Sequence, residues 1–227
     1  MTEIWAWLAD PAHWQGRDGI AARLAEHAWY SLLAIVPAVA VAVPLGLFVG
    51  HTGRGRGLAV GVSGALRALP SLGLLTFLAL VLDLGLSWSI VPATLVLAVL
   101  AVPPLLAGAY AGVEAIDPDV VDGARSAGLT ERQLVTRVEI PLAAPMIMGG
   151  VRSAVLQVVA TATVSAYLGL GGLGRYILDG LAVRDYPKMA AGALLVTALA
   201  LIADALLALA QRAVTPAGVR VARAPVL

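Results

Sequence analysis

Apolar residues gather into five long runs, at about 28–50, 58–82, 90–112, 143–165 and 189–211, with polar stretches between them. A bilayer core needs roughly 20 apolar residues per helix, so each run is long enough to cross. The pattern predicts an all-α integral membrane chain of about five transmembrane helices. Residues 28–213 form the membrane domain, 1–27 an extracytoplasmic N-terminal segment lying at the interface, and 214–227 a tail. Arg67 and Pro70 interrupt the second run, which leaves six spans as the other count.

The long polar insert at residues 113–141 is itself patterned. Asp117 is placed to cap a helix whose first position, Pro118, lacks only an N–H that would have no partner there. Gly128 can take the left-handed turn that closes this helix. Thr130 and Gln133 have capping-box spacing for a second short helix, which carries Leu134 and Val138 on one face and is expected to end at Pro141. Such a helix fits the groove of a partner protein. An amphipathic connector has the same pattern.

Composition narrows the class. Of 227 residues, 60% are hydrophobic and 13% charged, with a mean hydropathy of +0.90, a balance that only a bilayer or a very large assembly can bury. Cysteine is absent and His13, His27 and His51 lack ligand spacing, so neither a metal nor another cofactor is expected. A net charge of +1 without a basic stripe argues against nucleic acid as a partner. The first ten residues have neither a basic start nor a long apolar core, and do not read as a cleaved signal peptide.

Charge also sets the sides. Two crossings separate the His51–Gly57 loop from the 113–141 insert, which puts both on one side together with the tail and its Arg212, Arg220 and Arg223. That side carries eight basic residues against five on the other (Arg17, Arg23, Arg175, Arg184 and Lys188), so the positive-inside rule makes it cytoplasmic. Trp5, Trp7, Trp14, Trp29 and Trp88 fall in the outer segments or at outer span ends, as an interfacial belt requires.

A phosphate-binding GxxxxGK[ST] loop needs its lysine, and the single lysine, Lys188, has neither the glycines nor the Ser/Thr around it. This chain is therefore not expected to be an ATPase of that kind. Gly169, Gly171 and Gly174 do satisfy GxGxxG, but that fingerprint works only after a strand in a βαβ unit. Here the glycines are expected to allow close backbone contact or a re-entrant bend.

Asp122-Gly123-Ala124, three residues, Gly128, nine residues, then Val138-Glu139-Ile140-Pro141 resembles the EAA loop of ABC-importer permeases, E-A-A-x3-G-x9-I-x-L-P. The spacing is kept; Gly123 in place of alanine loosens the first helix by up to about 1 kcal/mol. Pro44-Leu45-Gly46, Leu69 to Leu72, Pro141 to Pro145, Gly150-Val151-Arg152, Ala160 to Thr163 and Gly169 to Gly174 are similar to the quaternary-amine branch (glycine betaine, carnitine, choline) of osmoprotectant permeases. Gly108-Ala109, ahead of Tyr110, departs from that branch, which usually has polar residues there.

This resemblance implies the type I importer permease fold with a cytoplasmic coupling helix, in the bacterial cytoplasmic membrane. It also implies two ATPase subunits, a second permease chain, identical or paralogous, and an external binding protein that delivers the substrate. The aromatic cage for a quaternary ammonium is expected on that binding protein. Asp122, Gly123, Ala124, Gly128, Leu134, Val138, Ile140 and Pro141 become the coupling residues. The cargo is a quaternary amine or, alternatively, another small zwitterion or amino-acid-like solute.

Three charges fall inside the spans, Arg67, Arg152 and Asp204, at similar depths. An unpaired charge there is costly, so Asp204 is expected to pair with Arg152 or Arg67 and fix the bundle. Ser71, Gln157, Thr161, Thr163 and Ser165 are the candidate pathway-lining groups, although helix-to-helix hydrogen bonding accounts for each as well. Internal repeats with a midplane ion site, as in a secondary carrier, are not found, and the spans hold no catalytic constellation.

Overall fold

The computed structural model describes residues 2–216; Arg220 and Arg223 of the predicted tail lie outside the described residues. The described chain is helical throughout: α1 (Thr2–Ala9), α2 (Ile20–Thr52), α3 (Arg56–Ala68), α4 (Ser71–Leu82), α5 (Ile90–Glu114), α6 (Pro118–Ser126), α7 (Glu131–Leu134), α8 (Ile140–Thr161), α9 (Gly174–Val183) and α10 (Tyr186–Val214). Short 3-10 turns occupy Pro11–Trp14, Leu86–Trp88 and Ala162–Leu168. Among the described residues, four helical stretches are long and apolar enough to cross a bilayer, or five if the bent pair α3–α4 counts as one.

Three expectations need correction. The first long helix begins at Ile20, so it takes in the last part of the segment assigned to the interface. The run at 58–82 is no straight span: α3 and α4 meet at 92°. Pro70 caps α4 in extended backbone and cannot donate into a continuing helix, which ends α3 at Ala68. Arg67 consequently sits in the last turn of α3, where a cation complements the helix dipole, and its side chain is exposed. Pro141, thirdly, breaks nothing. A π-helical turn at Val135–Glu139 precedes it, in which the Ile140 N–H reaches back five residues to the Val135 carbonyl. The wider turn makes room for a proline ring that would otherwise collide with the carbonyl four residues earlier.

Two compact units are distinguishable. The first comprises the chain up to Pro37, Ala68–Ala101 and Val155–Asp204; the second comprises Ala38–Arg67, Val102–Ala154 and the chain from Ala205. In the first unit Ile20, Val159, Leu173, Tyr176 and Val196 form one apolar cluster and Leu75, Ala93, Val96 and Leu100 another. Trp7 belongs to the first cluster: its ring stacks on His13 and meets Tyr176 edge-on, whereas Trp5, Trp14, Trp29 and Trp88 remain exposed.

The second unit is built on backbone proximity. Cβ atoms placed on Gly46 and Gly50 of α2 would lie 2.6 Å and 2.7 Å from the Cβ atoms of Ala109 and Val113 on α5. On the other flank of α5, a Cβ on Gly108 would lie 2.8 Å from the Gly150 Cα of α8. These are small-xxx-small faces, which let membrane helices gain dispersion contacts that lipid would otherwise supply. Gly108-Ala109 thus serves helix contact. The departure from the expected polar residues has a structural reason.

Candidate functional site

The insert between α5 and α8 folds as its caps dictate. The Asp117 side chain accepts the Asp119 N–H at 2.9 Å and starts α6. At the other end Gly128 adopts φ +84°, its N–H bonds the Arg125 carbonyl (2.9 Å) and the Leu129 N–H bonds that of Ala124 (3.3 Å), the two bonds of a Schellman ending. Thr130 and Gln133 then form the capping box on α7. Across the glycine turn, Arg125 donates from Nε and Nη2 to the two Glu131 oxygens (3.0 and 3.3 Å) and from Nη1 to Asp122 (3.3 Å). Hydrogen bonding to Glu131 raises the Arg125 guanidinium above its ordinary pKa.

The two helices differ in which way they face. None of the nine residues of α6 is buried, and Asp122, Gly123 and Gly128 are exposed with Ala124 half-buried. On α7, Leu134 is fully buried within the chain, while Val138, Ile140 and Pro141 are half-buried. The face expected to plug a partner's groove is therefore turned inward, because an apolar leucine beside the membrane end finds its own chain first. The helix of the insert that stays uncovered is α6.

Three polar pairs that sequence reasoning missed tie this insert to the end of α2 and the start of α3. Arg56 pairs with Glu114 at the end of α5. His51, near the end of α2, lies with Nδ1 2.9 Å from both oxygens of Glu139 and Nε2 3.2 Å from Glu131. Glu139, in the middle of Val-Glu-Ile, is 3% exposed and so needed a donor; that was the available signal. Its partner stands 88 residues away, beyond any local pattern.

The predicted pathway groups divide. Ser71, Thr161 and Ser165 line one small pocket in the first unit together with Leu75, Ala93 and Val164. Gln157 and Thr163 do not join them. The Gln157 amide donates to the Leu100 carbonyl at 3.1 Å. That carbonyl loses its helical donor because residue 104 is a proline, so Gln157 repairs a defect in α5. Gln157→Leu is expected to lower the thermal stability of the detergent-solubilised protein by about 1 kcal/mol. An unchanged melting profile would return Gln157 to the pathway. Thr163 bonds the Ala160 carbonyl of its own turn.

Of the intramembrane charges, Arg152 donates to Gln211 (2.9 Å), which in turn donates to the Pro145 carbonyl (2.6 Å). Asp204 is half-buried on α10. Arg67 lines an open cleft with Ser63 and Tyr110.

The glycine segment after α8 turns its backbone N–H groups toward side chains of α2. Gly172 donates to Glu26 (2.8 Å) and Leu173 to His27 Nδ1 (3.3 Å), while His27 Nε2 donates to the Val159 carbonyl (2.9 Å). A charged cleft of about 550 Å³ lies beside it, lined by Trp7, Asp18, Arg23, Arg175, Tyr176 and Lys188. Tyr176 donates to the Asp18 carbonyl at 2.7 Å, and burial pushes its phenol pKa up to about 12.

This helical framework is that of membrane subunits of ABC importers. It superposes with a TM-score of 0.74 on a chain of the inward-facing MetNI methionine ABC transporter, covering 95% of this chain and 100% of that one at 19% identity. An amino acid ABC transporter chain gives 0.66, with 85% and 92% covered at 20% identity. The chain belongs to the binding-protein-dependent transport system inner membrane component family, whose model matches residues 42–216.

Relatives refine the branch. The choline transport system permease protein OpuBB of Bacillus subtilis is 37% identical, with 86% of this chain and 88% of that protein covered. The glycine betaine/carnitine/choline permease OpuCB of the same organism is 36% identical over the same shares. The osmoprotectant import permease OsmW of Salmonella typhimurium is 32% identical over 86% and 91%. The chain is accordingly an ABC-importer permease of the inner membrane.

Proposed function

We propose that this permease forms the translocation pathway for a quaternary-amine osmoprotectant of the glycine betaine, carnitine or choline class, and that α6 is its contact with a separate ATPase subunit. The carrying observation is α6 itself, a polar helix capped at both ends with no residue buried, in a chain whose long helices are apolar. Structure held so firmly without a face to bury needs a partner to hold. The cargo class rests on the choline, carnitine and osmoprotectant permeases among the relatives.

The two polar loops meet at one end of the second unit through Arg56–Glu114 and His51–Glu131, which supports placing both on the same side of the membrane. Arg54, Arg56, Arg125, Arg132 and Arg137 make that side cytoplasmic. Non-catalytic itself, the chain takes its energy from ATPase closure, which displaces α6 and tilts the spans between inward-open and outward-open states. A second permease, identical or paralogous, completes the pathway, and an external binding protein supplies the substrate.

The test is co-purification of the chain with an ATPase subunit, followed by uptake of labelled choline and glycine betaine in proteoliposomes. Gly128→Val is expected to insert normally yet lose coupling about tenfold. The site has open space, so the substitution acts through the left-handed backbone at φ +84° that the Schellman ending requires. Wild-type transport by this variant would remove α6 from the coupling role.

A further inference from the structure

We propose that an ionic relay, Asp122–Arg125–Glu131–His51–Glu139, passes displacement of α6 to the end of α2, with His51 as its positioning residue. The inference rests on the reading of α6 as the ATPase contact and adds the route by which its movement enters the bundle.

Each link is drawn by geometry. Arg125 reaches Asp122 within α6 and grips both oxygens of Glu131 on α7. Glu131 offers its Oε2 also to His51 Nε2 at 3.2 Å. The far side of the same ring meets both oxygens of Glu139 at 2.9 Å. Carboxylate oxygens only accept, so Nδ1 donates to Glu139, while Nε2 stands within ion-pair distance of Glu131. His51 thus stands between α7 and the last residue of the π turn with one polar edge toward each, which no aliphatic side chain offers.

Burial grades the relay from outside to inside. The side chains of Asp122 and Glu131 are 73% and 59% exposed, that of His51 is 16% and that of Glu139 is 4%. The innermost link, His51–Glu139, is consequently shielded from screening salt, and a hydrogen bond to a carboxylate is directional and strong. Glu139 also occupies the turn whose backbone bonding has shifted to five residues. Such turns recur at functional sites, which suits an element that gives when pulled.

A merely structural tie would move stability alone, so the test reads motion. The chain has no cysteine, which makes introduced labels unique. Nitroxides at Phe48→Cys, one turn before His51, and at Val120→Cys on α6 occupy exposed positions. In the complex with its ATPase subunit, trapped with ATP and vanadate, the relay predicts a changed spectrum at position 120. The 48–120 distance keeps a narrow, unshifted distribution, because both ends move together.

In His51→Ala the same trapping should shift or broaden that distance, and the ATP consumed per substrate imported should rise about tenfold. His51→Lys, a donor-only cation, should restore the narrow distribution. Should His51→Ala fail to assemble, Glu131→Gln breaks the outer link at an exposed position and should broaden the distance in the same way. A distance unmoved by ATP in every variant overturns the relay and leaves the function standing. A wild-type chain that binds no ATPase subunit overturns both.

Discussion

Gly150→Val is expected to lower the amount of folded protein in the membrane several-fold. A Cβ at position 150 would lie 2.6 Å from the Pro104 carbonyl oxygen and 3.0 Å from the Gly108 Cα, both backbone atoms of α5. Nothing at the end of a side chain can swing aside, so α5 and α8 must separate along their whole shared face. Overpacking alone costs about 1–3 kcal/mol, occasionally more. Separation also forfeits dispersion contacts, and membrane helices have no hydrophobic effect between them to compensate. Net stabilities are only about 5–15 kcal/mol, and losses of about 1–2 kcal/mol already change abundance in cells several-fold, so a loss at the upper end lowers the recovered protein sharply.

The measurement is monodisperse yield after mild detergent extraction. Gly149→Val, one residue earlier with nothing within 4 Å of its Cβ position, is the matched control and should remain close to wild type. Equal losses in the two variants would show that glycine content, rather than contact, governs stability here.

The contrast between adjacent glycines marks where sequence reading succeeds. The α6–α7 insert was legible because each of its signals is local: Asp117 with Pro118, Gly128, and Thr130 with Gln133 act over at most three residues, and the structure realises each. The direction Leu134 faces was not legible. A leucine stripe is equally consistent with a partner's groove and with its own chain, and only the tertiary fold decides. The π turn was hidden for a related reason. A proline after an amphipathic helix normally reads as a stop, and the wider turn that accommodates it has no composition of its own.

Long-range polar pairs were the least visible. His51 meets Glu139 across 88 positions, and Gln157 meets Leu100 across 57. Both left a partial trace, a carboxylate among apolar neighbours and a carbonyl deprived of its donor by proline. An unmet need for a hydrogen bond can thus be read from sequence, whereas the group that meets it cannot.

Gly174→Ala is the second large effect expected, and it separates two readings of the GLGGLG string. A Cβ at Gly174 would collide with the Thr163 carbonyl oxygen and lie 2.8 Å from the Thr163 Cα, so a single methyl group pushes α9 away from the 3-10 turn at Ala162–Leu168. The loss is about 2–3 kcal/mol, read as a lower melting temperature in detergent. At Gly171 the atoms in the way are the ends of the Glu26 and Arg23 side chains. Those can swing aside, so Gly171→Ala is expected to cost less and to act mainly by disturbing the Glu26 bond to Gly172. Gly169 has open space but a φ of +77°, so an alanine there meets backbone strain of only about 1 kcal/mol. Backbone contact therefore predicts the order Gly174, then Gly171, then Gly169. A dinucleotide fingerprint predicts otherwise, with all three glycines mattering for a bound pyrophosphate and little for stability without one. Equal and small losses across the three variants would favour the fingerprint; a steep ranking led by Gly174 assigns the string to the joint between α8 and α9.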